Sequence, residues 1–312
     1  MRPHGAAYST NESCTFLAAP AWRREPLLLR GAVPNHLIES FDRGKVAHIV
    51  SCLPHMRVFV SDELSSPAGL GSRLVPVAHA PELLARLMES AIRYTILLNA
   101  VETVDHDVLA VRAQMGVPHA WRVDDIVLTW STSDSGIGYH AGHEDAIIVQ
   151  AAGQRRWRVW SADAVDAYAR RRILISAPGD NNALPATDAP ALLECQLEPG
   201  DALYIPPFCP HEGTTLKDSI SIALGWRGIA YFHLVDAFAS LVVPPSGLEP
   251  HHLPDTFFAL VPDLDPAWPD DSRVRVAAAI VTRLQELGCT IADPDALYAR
   301  LLSVLSVASP KT

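Results

Sequence analysis

Four side chains able to bind a metal crowd into "HAGHED": His140, His143, Glu144 and Asp145. A further histidine, His211, lies in "EPGDALYIPPFCPHEG". A metal centre on a small barrel takes two or three ligands that project inward from strand ends, and it leaves a coordination position open. His140 stands just before an apolar strand run, behind the Gly-rich turn "GIGY". His211 follows a strand run and a Pro-rich turn. The two are distant along the chain, but closing a barrel can bring such positions together, as a two-histidine, one-carboxylate iron site requires. Taken singly, each histidine reads as an ordinary turn residue. The helical pair of a zinc hydrolase, HExxH, is missing,.

The elements that must position these residues follow from hydrophobic period. Residues 15–31 read as a short helix, a tight connection at Pro26 and a strand over Leu27–Leu29. "APELLARLMESAI" carries apolar residues at helical spacing,. "YTILLNAV" reads as a buried strand, and "DHDVLAVRAQMG" as a helix closed by Gly116,. From Trp121 onward come the short β-rich runs "WRVDDIVLTWS", "AIIVQAAG", "RRWRVWS", "LLECQLEPG", "ALYIPP" and "SISIALGW". Closely spaced strands broken by Gly, Pro and Asp predict a sandwich or barrel. Beyond about residue 229 the texture returns to helix, in "AYFHLVDAFASLV", "RVRVAAAIVTRLQELG" and "DALYARLLSVLSV", with a Pro-rich segment over roughly 244–270. Within "GQRRWRV", strand alternation puts Arg156 and Arg158 on one face and Arg155 with Trp157 on the other. A lone arginine beside an aromatic on the inner face reads as more than a solvated charge.

Composition narrows the partners. The net charge of -10 makes the chain a poor grip for phosphate backbones and suits it to a basic peptide or protein,. Five widely spaced cysteines without a CxxC argue against a disulfide framework or a thiolate zinc site,. No signal-peptide signature or apolar run of membrane length is present, so no membrane role is expected and the expected location is the cytoplasm,.

The contexts "GxGxH…GxxRW" and "EPGDxLYIPPxxPHEG" together resemble the bacterial branch of the JmjC (cupin-type) oxygenases, and within it the ribosomal oxygenases. "FLAAPAWRREPLLLRG" is similar to the family's N-terminal segment, and "WRVDDIVLTWSTSDSGIGYH" to the strand leading into its first ligand. The similarity is clear over about residues 15–230 and looser beyond. It implies a mainly β fold with helical flanks, a double-stranded β-helix (cupin, jelly-roll) of JmjC type over residues 1–229. It further implies a helical region over 230–312 that serves dimerisation and includes a shortened C-terminal domain. The implied cofactor is Fe(II) and the implied cosubstrate 2-oxoglutarate. The implied reaction is hydroxylation of an arginine-like side chain in a protein or peptide. His140 falls on the first iron-binding histidine, His211 on the distal one, and Arg155 on the basic residue that holds the far carboxylate of 2-oxoglutarate. Ser131 falls near the cosubstrate pocket.

One departure stands out. The family's His-x-Asp is here His140-Ala141-Gly142, so the carboxylate position is vacant. On a regular strand Glu144 would share a face with Gly142 and could reach back. Alternatively, a three-residue slip would make His143-Glu144-Asp145 the motif, which flips the strand faces and fits neither the Gly136 turn nor Arg155. The vacancy could instead be left open for chloride, as in His-x-Gly halogenases of another branch. Or the iron is held by two histidines and water, or not at all, in a barrel kept as a binding scaffold.

Overall fold

The computed structural model describes residues 8–9, 25–60, 72–116, 123–174, 182–185, 187–226, 238–247 and 273–306. The chain divides into two compact units, one of residues 1–117 and 125–225 and the other of 118–124 and 226–312.

The first unit is built on a sheet whose strands are β1 (Tyr8–Ser9), β2 (Leu27–Arg30), β3 (His55–Val60), β4 (Ser72–Pro76), β5 (Tyr94–Leu98), β6 (Val123–Ser131), β7 (Asp145–Val159), β8 (Leu193–Leu197), β9 (Ala202–Ile205) and β10 (His211–Trp226). Their hydrogen-bonded order is β1-β2-β9-β7-β10-β6-β5-β3-β4, with β8 also paired to β7. β1 runs parallel to β2, and the other recorded pairings in this sheet are antiparallel. The central neighbours are far apart in sequence, the interleaving expected of a jelly-roll.

Local chemistry sets the ends of the helices that flank this sheet. In α1 (Arg43–Cys52) the Asp42 carboxylate accepts from the Lys45 N–H at 2.8 Å, capping an otherwise unsatisfied first turn,. In α2 (Ala80–Glu89) Ala80, Leu84 and Leu87 make one buried stripe,. α3 (Asp107–Gln114) stops where Gly116 enters the left-handed region at φ 58°,. α4 (Ala167–Leu174) follows β7.

β7 corrects one expectation. "AIIVQAAG" and "RRWRVWS" read as two strands separated at glycine, but they form a single strand of 15 residues. Gly153 is absorbed inside it at φ 70°, where an added Cβ would overlap the Asp218 carbonyl of β10. The downstream half alternates as the sequence predicts, with Arg155, Trp157 and Val159 buried and Arg156 and Arg158 exposed. Trp157 and Val159 join Ile148, Leu197, Leu203 and Ile205 in one core cluster across β7, β8 and β9. The pair β3–β4 and helix α1 have no counterpart in the motif-based reading.

The second unit has its own core of Phe238, Val242, Ala277, Ile280, Leu284, Leu297 and Leu301. Two of its expected helices appear as α5 (Arg273–Glu286) and α6 (Pro294–Ser306). A short pairing of β11 (Val242–Val243) with β12 (Thr290–Ile291) closes it. Only residues 238–242 of "AYFHLVDAFASLV" are described, helical over 238–241 with Val242 opening β11. The helix expected within 15–24 and most of the Pro-rich segment lie outside the described residues. Among the described residues no helix is long and apolar enough to cross a membrane.

Candidate active site

The two histidines meet through their backbones. The His140 N–H donates to the His211 carbonyl at 3.1 Å, and the His211 N–H donates to the His140 carbonyl at 2.8 Å. That bridge joins the turn before β7 to the first residue of β10. Gly136 makes the approach possible, because a Cβ there would overlap the Gly213 carbonyl. The imidazole centroids lie 4.2 Å apart at 62°.

Both rings are anchored in the same way. His140 Nδ1 lies 2.9 Å from the Gly138 carbonyl, and His211 Nδ1 lies 2.9 Å from the Cys209 carbonyl. A carbonyl can only accept, so each Nδ1 carries the proton and each Nε2 keeps its lone pair. This is the outer-shell arrangement that fixes metal-ligating histidines. Burial is the main force holding both rings neutral. It brings His211 down to about 4, against the opposing pull of the Cys209 carbonyl and the Glu144 carboxylate. It takes His140 well below its ordinary value, with the neighbouring His211 and Arg155 adding to the effect. The rings keep a partial opening to solvent, but the surrounding protein is dense enough to disfavour imidazolium,.

The backbone around Gly142 departs from the regular strand expected from the sequence. Residues 141–144 are not a regular strand: His143 and Glu144 are bends, and β7 begins only at Asp145. The Gly142 carbonyl is taken by the Phe208 N–H at 2.8 Å, which holds the segment off the sheet path. Glu144 reaches back all the same. Its Oε2 lies 2.5 Å from where a Cβ on Gly142 would stand. Its Oε1 lies 3.6 Å from Nδ1 of the enclosed His143. Asp145 is drawn the other way: it is buried, and the Tyr204 hydroxyl donates to its Oδ1 at 2.7 Å, tying β7 to β9. Among the described residues no three His, Cys, Asp or Glu side chains stand together at metal-ligating spacing.

Arg155 is 2% exposed and shares the inner face with Trp157, whose ring centroid is 4.8 Å from the guanidinium carbon. Its Nη2 donates to the Gly213 carbonyl at 3.3 Å. Arg155 Nε, Trp157 Nε1 and Thr215 Oγ1 are buried without a hydrogen-bond partner. No carboxylate pairs with Arg155 among the described residues. Burial pulls this guanidinium down to about 10. A buried cation with spare donors is costly unless an anion completes it. These groups therefore fit one end of a dicarboxylate, which a guanidinium fork binds through two oxygens.

Ser131 is fully buried, and its hydroxyl accepts from Thr95 Oγ1 at 3.0 Å in a hydroxyl chain between β5 and β6 that continues to Ser135. Two further contributors escaped sequence reasoning. Gly213 must be glycine, since a Cβ would stand 2.8 Å from Arg155 Nε and 2.9 Å from the Trp157 ring. The "PHEG" run carried that signal. Arg57, buried on β3, adds its positive charge to the surroundings of His140. It lies in no recognisable motif.

Residues 110–234 match the family model of the JmjC domain. The ribosomal protein uL16 3-hydroxylase of Escherichia coli (strain K12) is 27% identical over 230 residues, 71% of this chain and 54% of that protein. A probable ribosomal oxygenase of Haemophilus influenzae is 22% identical over 228 residues, 70% of this chain and 50% of that one. The chain thus spans about half the length of these relatives. Among solved structures, an E. coli ribosomal oxygenase in complex with cobalt and succinic acid superposes with a TM-score of 0.54 at 23% identity, covering 80% of this chain and 67% of that one. The same enzyme with cobalt and 2-oxoglutarate gives 0.52 at 22% identity, covering 85% and 70%. The β unit that brings His140, His211 and Arg155 together is thus similar over most of its second half to the JmjC domain, on a fold shared with the ribosomal oxygenases.

Proposed function

We propose that the protein is an Fe(II)- and 2-oxoglutarate-dependent oxygenase that hydroxylates an arginine-like side chain of a basic peptide or protein. The observation that carries this is the pairing of two backbone-bridged neutral imidazoles with a buried arginine that lacks a carboxylate partner among the described residues. His140 and His211 would hold the iron through Nε2. Arg155 would hold the far carboxylate of 2-oxoglutarate, with Trp157 Nε1 and Thr215 Oγ1 offering further polar contacts. Bound iron and 2-oxoglutarate supply the activation of oxygen. The chain supplies neutral ligands, a fixed cosubstrate and a water-poor barrel wall, so that charge interactions within the site are strong. The relatives support this reading, one being a hydroxylase of ribosomal protein uL16.

The acidic surface, at net charge -10, suits a basic substrate and gives no grip for direct nucleic-acid binding,. We further infer that residues 230–312 form the dimerisation region of a homodimer that works in the cytoplasm. The halogenase alternative needs room for chloride at Gly142. Glu144 disfavours it, since one of its carboxylate oxygens lies 2.5 Å from the point a Cβ on Gly142 would occupy and two anions so near each other repel,. The test is consumption of 2-oxoglutarate with Fe(II) and basic peptides. Succinate is expected in wild type and is lost in His211→Ala. Lack of both turnover and iron binding in wild type would overturn the proposal.

A further inference from the structure

A His-x-Asp motif that loses its aspartate should leave a gap, and here the Glu144 carboxylate lies beside it. In an aspartate the carboxylate oxygens lie about 2.4 Å from Cβ, as C–C and C–O bonds of roughly 1.5 and 1.25 Å dictate. Glu144 Oε2 lies 2.5 Å from the point a Cβ of residue 142 would occupy. A carboxylate oxygen therefore stands as far from that point as residue 142's own carboxylate would. Glycine at 142 leaves room for Glu144 to fold back, and a side chain there would push the carboxylate out of this position. The bends at His143 and Glu144 turn the chain for it. His143, whose side chain is 6% exposed, lies with Nδ1 3.6 Å from Glu144 Oε1 and limits where the carboxylate can go. Asp145, the other nearby carboxylate, is committed to Tyr204.

We propose that Glu144 supplies the carboxylate ligand of the metal centre, so that this chain uses His140-x-Gly142-x-Glu144 with His211 in place of His-x-Asp with a distal histidine. The proposal rests on the oxygenase reading above. Gly142 frees the space, Glu144 crosses it from two residues downstream, and a metal on the two Nε2 atoms draws the carboxylate from its place over Gly142 into the third position. His143 is then a positioning residue rather than a ligand.

The test is Co(II) binding to the full chain, followed by calorimetry and by the visible ligand-field spectrum, with folding of each variant checked by circular dichroism. Wild type is expected to bind one Co(II). Glu144→Gln, which keeps shape and removes charge, is expected to weaken binding by at least about tenfold and to change the spectrum. The double variant Gly142→Asp/Glu144→Ala, which rebuilds His-x-Asp, is expected to recover the affinity. Wild-type affinity in Glu144→Gln, with binding abolished in His211→Ala, would overturn the Glu144 assignment and leave the two-histidine site standing. Binding lost in His143→Ala but kept in Glu144→Gln would overturn it equally. Failure of wild type to bind Co(II) at all would bring down both this assignment and the oxygenase reading.

Discussion

Arg155 concentrates the chemistry of the site into one side chain. Its guanidinium is planar and can fork onto a carboxylate, whereas an ammonium is a single point of charge. Arg155→Lys is therefore expected to weaken 2-oxoglutarate binding by about 1.5–3 kcal/mol, or roughly ten- to a hundredfold, read by calorimetry in the presence of Mn(II). An unchanged affinity would remove Arg155 from the cosubstrate site. Gly213→Ala tests the same pocket from the opposite wall. The new methyl would crowd Arg155 Nε and the Trp157 ring, so 2-oxoglutarate affinity should fall while metal affinity holds. Thiol reactivity gives an independent check on burial. Cys52 is exposed, while burial raises Cys195 to about 11 and Cys209 to about 12. At neutral pH an alkylating reagent should therefore modify Cys52 well before Cys195 or Cys209, as peptide mass mapping would show. At this scale much was legible in the sequence. His140, His211 and Arg155 sit beside turns and in an alternating strand whose geometry follows from residue type. Arg57 was not legible, because its strand reaches the site only through the register of the sheet. Glu144 was legible as a candidate, but the regular strand invoked to bring it round is absent.

At the scale of elements, β7 and β10 decide whether the site exists. β7 carries Arg155 and Trp157, β10 begins at His211, and the two strands are neighbours in the sheet. They approach closely at Gly153, inside β7, where an added Cβ would meet the Asp218 carbonyl oxygen. Gly153→Ala combines a left-handed backbone with an overlap against the Asp218 carbonyl, and should cost about 2 kcal/mol or more,. The melting temperature should then fall by roughly 4–8 °C. A wild-type melting curve would show that β7 and β10 can separate without loss. Glycine punctuation misled the sequence reading here. Within a run of alternating residues Gly153 looks like a turn, yet it marks the close crossing of two strands. The helices α2, α3, α5 and α6 were legible from apolar spacing and stop signals. α1 and the β3–β4 pair were not, because their character is set by packing against the sheet.

For the whole molecule the sequence pointed to a JmjC-type barrel followed by helices, and the ten-stranded first unit and the helical second unit bear out that fold. Composition could bound the substrate only through charge. A chain of net charge -10 that acts on a basic polypeptide should lose catalytic efficiency as ionic strength rises,. The loss should appear in KM, since screening weakens encounter and leaves the reacting groups untouched. An efficiency independent of salt would argue for an uncharged substrate. The central claim is that oxygen is split between cosubstrate and substrate at the His140, His211 and Arg155 site. The most direct test is to incubate the protein with Fe(II), 2-oxoglutarate, a basic ribosomal-protein peptide and isotopically heavy oxygen gas, and to weigh the products by mass spectrometry. The account predicts one heavy oxygen atom in succinate and one in the peptide, both lost in Arg155→Ala. Unlabelled peptide beside labelled succinate would show that the substrate has been misassigned, and the lack of label in either would contradict the account.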